Sequence, residues 1–305
     1  MNESIKIVVG YIIITLLWGS TWLAIRIGLD SLTPMFAVGV RFFIASIFVY
    51  IIMKISKVKL QTDSLSIKLY LFLAFFSFII PFSLVYWGEQ FVPSGLASVI
   101  FAVFPFFVII FSWLMLPDGS IGIYKSIGVL AGFVGITIIF WDDISLDFAE
   151  YSLGMIAILV SATIQGYVAV IIKKHGSKLN PLSMNFIPLL LTGIVLIPVG
   201  LLFENRESLV IDSKAVYSIL YLAFFGTVIT FTIYFWLMQK INVVILSLST
   251  FLTPIIALIL GAILLGEKFT TNHLLGSSLV LIGILFANFR GLVKYYKDRE
   301  KNQID

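Results

Sequence analysis

Ten runs of predominantly apolar residues dominate this chain, at 7–26, 34–53, 69–88, 94–116, 121–141, 152–172, 182–203, 215–237, 242–265 and 272–290. A bilayer core about 30 Å thick takes about 20 such residues per crossing helix. The spacing therefore predicts an all-α integral membrane protein with ten transmembrane helices. The eighth and ninth runs are the least separable, since only Gln239, Lys240 and Asn242 break the apolar stretch between them. No small-residue cleavage site follows the first run, and nine more runs come after it, so it does not read as a signal peptide. Composition agrees. Hydrophobic residues make up 60% of the chain and charged residues 12%, against about 45–50% and 25% in soluble domains. A net charge of +4 forms no basic patch for nucleic acid. With no cysteine and two histidines, His175 and His273, the sequence offers no disulfide, thiol nucleophile or ordinary zinc site.

Lysine and arginine bias gives the expected orientation. With both termini inside, interior positions hold Lys6, Lys54, Lys57, Lys59, Lys68, Lys125, Lys173, Lys174, Lys178, Lys240 and the tail Arg290, Lys294, Lys297, Arg299 and Lys301. The exterior holds Arg26, Arg206, Lys214 and Lys268, and Arg41 lies within a span. The termini are accordingly expected in the cytoplasm of a multi-pass protein of the cytoplasmic (inner) membrane. The acidic 142–150 loop falls outside.

The runs also repeat. Leu73-Ala74-Phe75-Phe76 recurs as Leu222-Ala223-Phe224-Phe225, and the same 149-residue offset carries Trp87 to Trp236, Gln90 to Gln239, Ser98 to Ser247 and Pro105 to Pro254. An offset of 147 pairs Gly19, Arg26 and Pro34 with Gly166, Lys173 and Pro181; one of 148 pairs Gly128 and Gly135 with Gly276 and Gly283. The expected organisation is two five-helix units, 1–145 and 146–305, the second ending in a cytoplasmic tail. Five is odd, so the second unit enters from the opposite side and the repeats are inverted. Exchanging the roles of the two halves gives two states of similar energy, which is the basis of alternating access.

Together these residues resemble the EamA-type members of the drug/metabolite transporter (DMT) superfamily. The resemblance is carried by Trp18-Gly19-Ser20 with Arg26, Pro34 with Arg41-Phe42, Ser94-Gly95-Leu96-Ala97-Ser98 through Pro105, and Leu265-Gly266-Glu267. It covers about residues 10–290. Pro117-Asp118 stands where the family's Gly-Glu would close the fourth helix, a change conservative in charge. The resemblance implies a transporter of small metabolites, often an exporter of amino acids or their relatives, with no cofactor. It also implies an arginine at position 41 whatever the substrate, which favours a structural role there.

Candidate substrate contacts follow from helical spacing and from the correspondence of the halves. Ser94, Ser98, Phe101 and Pro105 share one face of the fourth run; Ser247, Thr250 and Pro254 share the matching face of the ninth. Each proline removes a backbone donor within a span. The alternative is that the hydroxyls bond their own helix or permit close packing. Trp18, Ser20 and Thr21 of the first run, and Gln165 and Tyr167 of the sixth, complete the candidate set. Tyr86 and Tyr234 are expected as gates with Pro105 and Pro254, while Trp87 and Trp236 suit an interfacial aromatic belt. Pro81, Pro188 and Pro198 have no repeat partners and are expected to kink their helices. Arg41 could hold a substrate anion or pair with Glu89. No acidic residue lies deep in a span, which argues against a carboxylate proton relay and for a uniporter or weakly coupled antiporter. Glycine stripes in the fifth and tenth runs suit packing within a monomer, a dimer being the alternative.

Two other classes compete with a secondary transporter whose partners are a small-molecule substrate and membrane lipid. A membrane-embedded enzyme would need a zinc motif, paired intramembrane carboxylates or a Ser–His dyad, and none is present. A channel would be expected to show a ring of charge or a filter sequence.

Overall fold

The computed structural model describes residues 3–116, 123–141, 148–247, 249–283 and 285–286. Asp118, Asp142, Asp143, the expected boundary at 145/146 and the basic tail from Arg290 lie outside the described residues. The described chain is helical, in the order expected: α1 (Glu3–Leu29), α2 (Pro34–Ile55), α3 (Ser64–Gly88), α4 (Ser94–Met115), α5 (Ile123–Trp141), α6 (Phe148–His175), α7 (Pro181–Phe203), α8 (Ser213–Lys240), α9 (Val243–Leu265) and α10 (271–283). Among the described residues eight of these helices are long and apolar enough to cross a membrane. Large apolar side chains such as Ile12, Leu16, Ile47, Leu130 and Ile259 remain exposed around the bundle, as a lipid-facing surface requires.

Helix ends in a membrane protein must find partners for their free backbone groups. Asp63, Asn180 and Asp212 accept from Ser66 N, Leu182 N and Ala215 N at the starts of α3, α7 and α8. Two further caps come from distant sequence. Glu204 accepts from Met35 N and Phe36 N at 2.8 and 3.1 Å, closing the start of α2. Glu267 accepts from Ser94 N at 2.8 Å and Gly95 N at 3.0 Å, closing the start of α4. A carboxylate suits the positive end of a helix dipole in both places.

Small residues set the helix contacts. A Cβ on Gly39 would lie 2.6 Å from Ile197 N, and one on Gly193 would lie 2.6 Å from Phe43 Cβ, so α2 and α7 approach backbone to backbone. Gly135 abuts Gly276, and Gly283 abuts Gly128 and Gly132, so the glycine stripes join α5 to α10 within the chain. Gly19 of α1 packs on Ile256 of α9, and Gly166 of α6 packs on Phe107 of α4. Gly166 and Phe107 are the repeat counterparts of Gly19 and Ile256, so each half docks its first helix against the other's fourth.

Both members of the Leu-Ala-Phe-Phe repeat open a π turn, at Ala74–Ile79 in α3 and Phe224–Ile229 in α8. Pro81 follows the first, but Thr230 holds the corresponding place after the second. The proline is therefore not what makes the turn. Pro188 and Pro198 sit inside α7. In α4 the helix breaks at Ala102–Val103 and restarts at Phe104, with Pro105 in the first positions of the new segment. Its counterpart Pro254 lies inside the unbroken Ser249–Leu260 segment of α9.

Candidate functional site

The apolar helices surround a central, partly open cavity whose empty space, counted together with its mouth, is about 930 Å³. Its wall follows the repeat. Trp18 and Gln165, Thr21 and Val168, Trp22 and Ala169, and Ile25 and Ile172 all line it, each pair 147 residues apart. So do Phe82 and Phe231, Val85 and Tyr234, Phe101 and Thr250, and Phe104 and Thr253, each pair 149 apart. The cavity is thus lined by corresponding positions of the two halves.

Eight of the 22 wall residues are aromatic. Trp18 meets Phe231 and Tyr234 with ring centroids at 5.6 and 5.3 Å, and Trp22 meets Phe101 at 5.5 Å. Polar wall groups are already engaged. Thr21, Thr250 and Thr253 bond carbonyls of their own helices, and Ser161 donates to the Pro81 carbonyl at 3.0 Å. Gln165 Nε2 donates to Ser77 O at 2.9 Å while its Oε1 accepts from Ser77 Oγ at 3.1 Å. Such a surface offers ring faces first and hydrogen bonds second.

Arg41 reaches the wall but is 1% exposed. Its guanidinium donates to Thr227 Oγ1, Tyr86 Oη and Gly226 O at 3.0, 3.0 and 3.1 Å, and lies over Phe42 and Phe82. Gly226 is the repeat counterpart of Ser77. A π turn leaves its carbonyls short of regular partners; one side chain from the other half serves each turn, Gln165 for α3 and Arg41 for α8. No ion pair joins Arg41 to Glu89 among the described residues.

Trp18, Thr21, Phe101, Gln165, Thr250, Tyr234 and Arg41 therefore meet around one cavity. The other sequence candidates lie elsewhere. Ser20 shares a hydrogen bond with Tyr221 at 2.6 Å. Ser94 donates to Glu267, and Ser98 and Ser247 donate to their own helix carbonyls at Gly95 and Val244. Tyr167 packs between Phe72 and Phe111 with 37% of its surface exposed. Tyr86 is buried behind the wall on Arg41, and Pro105 and Pro254 are buried off it. Helical spacing alone missed Trp22, Phe82, Phe104, Phe231 and Thr253. Phe82 and Phe231, and Phe104 and Thr253, are counterparts of each other, so the register marks one only once the other is known; none of the five corresponds to a residue chosen by spacing.

The bundle has two distinct ends. At one, Arg26 Nη1 donates to Glu89 O and Gln90 O at 3.0 and 3.3 Å, covering the last carbonyls of α3. At the other, Lys173 Nζ donates to Met238 O and Ile241 O at 2.6 and 2.8 Å, covering those of α8. The two cations are repeat counterparts and do the same work. The cavity is less even. Phe235 and Met238 line it toward the Lys173 end, whereas their counterparts Tyr86 and Glu89 are buried off the wall at the Arg26 end.

A model of the EamA-like transporter family matches the chain twice, over residues 5–141 and 152–289. Protein PagO of Salmonella typhimurium is 30% identical over 92% of this chain and 92% of its own. The uncharacterized transporter YoaV of Bacillus subtilis is 29% identical over 93% of this chain and 97% of its own. The uncharacterized inner membrane transporter YedA of Escherichia coli is 25% identical over 88% and 86%. A solved crystal structure superposes with a TM-score of 0.70 at 18% identity, covering 94% of this chain and 98% of its own, a likeness of fold alone. The family and the relatives' names indicate a multi-pass membrane transporter and not an enzyme.

Proposed function

This chain belongs to the EamA-like transporter family, and on that premise we propose that it carries a small, partly apolar solute with a polar head across the cytoplasmic membrane by alternating access. An amino acid or a related compound has that chemistry, and the resemblance to exporters favours outward transport. One observation carries the reading: the cavity wall is built from repeat counterparts, yet it extends past Phe235 and Met238 at one end and stops short of Tyr86 and Glu89 at the other. A near-symmetric site with unequal ends is what one of two exchangeable states presents.

In this reading Trp18, Thr21, Phe101, Gln165 and Thr250 contact the solute, with Trp22, Phe82 and Phe231 as further aromatic faces. Tyr234 and Tyr86 control the two ends. Arg41 positions α8 instead of holding an anion, since each of its three nitrogens already donates to a protein acceptor. The units that exchange roles are 1–145 and 146–305. Basic-residue bias puts the Lys173 end and both termini in the cytoplasm, so the cavity reaches furthest toward the cytoplasm, and the single chain is the working unit.

The test is a thermal-shift screen of the purified protein against a metabolite panel, followed by counterflow of the hits in liposomes. Saturable counterflow driven by unlabelled solute supports the reading. Unsaturable flux with single-channel conductance would replace it with a channel.

A further inference from the structure

Glu89 lies one residue beyond α3, outside the span that run length defines, yet tertiary packing leaves it 0% exposed. Neither carboxyl oxygen has a hydrogen-bond partner among the described residues. The nearby cations are engaged elsewhere: Arg26 on backbone carbonyls, Arg41 on Tyr86, Thr227 and Gly226. Glu267, the neighbouring acid, is occupied at the start of α4. On its own helix the nearest titratable group is Tyr86, whose hydroxyl accepts from Arg41. From α6, Gly154 and Ile158 pack on Gly88, and Gly154 also meets Phe91 and Val92, so the atoms nearest this turn are backbone and apolar side chains. An ionised carboxylate buried without donors is costly, and the usual resolution is to bind a proton.

The repeat shows what happens next. Glu89 and Tyr86 correspond to Met238 and Phe235, which line the cavity here. If the halves exchange roles, the cavity reaches Tyr86 and Glu89 at the Arg26 end while Phe235 and Met238 become buried. We propose that Glu89 is a proton-binding site of the transport cycle: its carboxylic acid keeps a proton in the conformation described here and gives it to water when the cavity opens over it. The inference rests on the alternating-access reading. It also replaces the sequence-based expectation of a carrier with no carboxylate in its machinery.

Burial, the largest cause, together with the charge of Glu267, pushes the Glu89 carboxyl well above the ordinary carboxylate range here, with Arg26 and Arg41 opposing. Water in the opened state returns it toward that range. The described conformation therefore binds more protons and is favoured as pH falls. It loses ground as pH rises from the ordinary carboxylate range to the raised value.

The chain has no cysteine, so spin-label pairs can be placed without removing native thiols. One pair uses the exposed positions Gln90→Cys and Glu207→Cys at the Arg26 end, the other Lys57→Cys and Asn242→Cys at the opposite end. Electron-spin distance measurements in nanodiscs between pH 5 and 9 are expected to show two populations. Their ratio should change by up to about tenfold per pH unit within the window, with low pH favouring the described distances. Glu89→Gln should hold the low-pH distribution throughout. Two populations whose ratio ignores pH, or whose response survives Glu89→Gln, would overturn this inference alone. A single invariant distance in both pairs would overturn alternating access, and this inference with it.

Discussion

The guanidinium of Arg41 and the carbonyl of Gly226 meet 3.1 Å apart across the two halves of the chain. At the corresponding π turn of the first half, the Gln165 amide meets the Ser77 carbonyl at 2.9 Å, although Gln165 corresponds to Trp18 and not to Arg41. In each case a polar side chain from one half completes a π turn in the other. Lipid cannot supply that donor, so the two contacts tie helix irregularity to the docking of the repeats.

Loss of Arg41 should accordingly be a stability defect. Arg41→Ala leaves several buried acceptors unpaired, each costing about 1–3 kcal/mol, and the melting temperature in detergent should fall steeply. Arg41→Lys should rescue little, because an ammonium lacks the planar fork. An unchanged melting temperature with lost solute binding would instead make Arg41 an anion contact.

The wall assignment separates two tryptophan- and serine-directed changes. Trp18→Ala should weaken binding of a screened solute about tenfold or more while the protein stays folded, given the size of aromatic contacts. Ser98→Ala should leave affinity within about twofold, since that hydroxyl bonds Gly95 O inside its own helix. Titrations of both variants with the same solute decide the matter, and equal losses would reject the assignment.

The end caps make a sharper comparison. Lys173→Met removes two charged hydrogen bonds to Met238 O and Ile241 O and should cost about 1.5–3 kcal/mol for each, read as a lower melting temperature. Lys173→Arg should recover most of it, because Arg26 performs the equivalent task in the first half.

Close packing of α2 on α7 predicts intolerance at Gly39. Its missing Cβ already faces backbone at 2.6 Å, so Gly39→Leu should destabilise by at least about 1–3 kcal/mol. Little folded protein should be recovered by size-exclusion chromatography. Exposed Leu202→Ala, on the lipid face, should be recovered at the wild-type level.

Much of this architecture was legible in the chain. Run length placed the helices to within about five residues wherever their ends are described, because hydrocarbon thickness fixes how many apolar residues a crossing needs. The recurrence of Leu-Ala-Phe-Phe marked both π turns without revealing them as such. Trp18, Thr21, Phe101, Gln165, Thr250, Tyr234 and Arg41 were picked out from spacing and correspondence, and the fold gathers them. Ser94, Ser98 and Ser247 share the predicted faces but turn to local carbonyls or to Glu267, a choice that helical periodicity cannot express. Phe82, Phe231 and Phe104 were hidden by abundance, since 28 phenylalanines leave no contrast by which to pick out those on the wall.

Sequence by itself determined the solvent, the helical class and the register between the halves, all of which depend on the order of apolar and polar residues along one dimension. Tertiary structure alone decided which polar groups meet. Arg41 reaches Gly226 through 185 residues of separation, Glu267 closes a helix that begins at Ser94, and Glu89 is sealed from water although it stands outside its span. Burial and pairing are properties of neighbours in space. In a bundle whose halves interlock, those neighbours come from the far end of the chain.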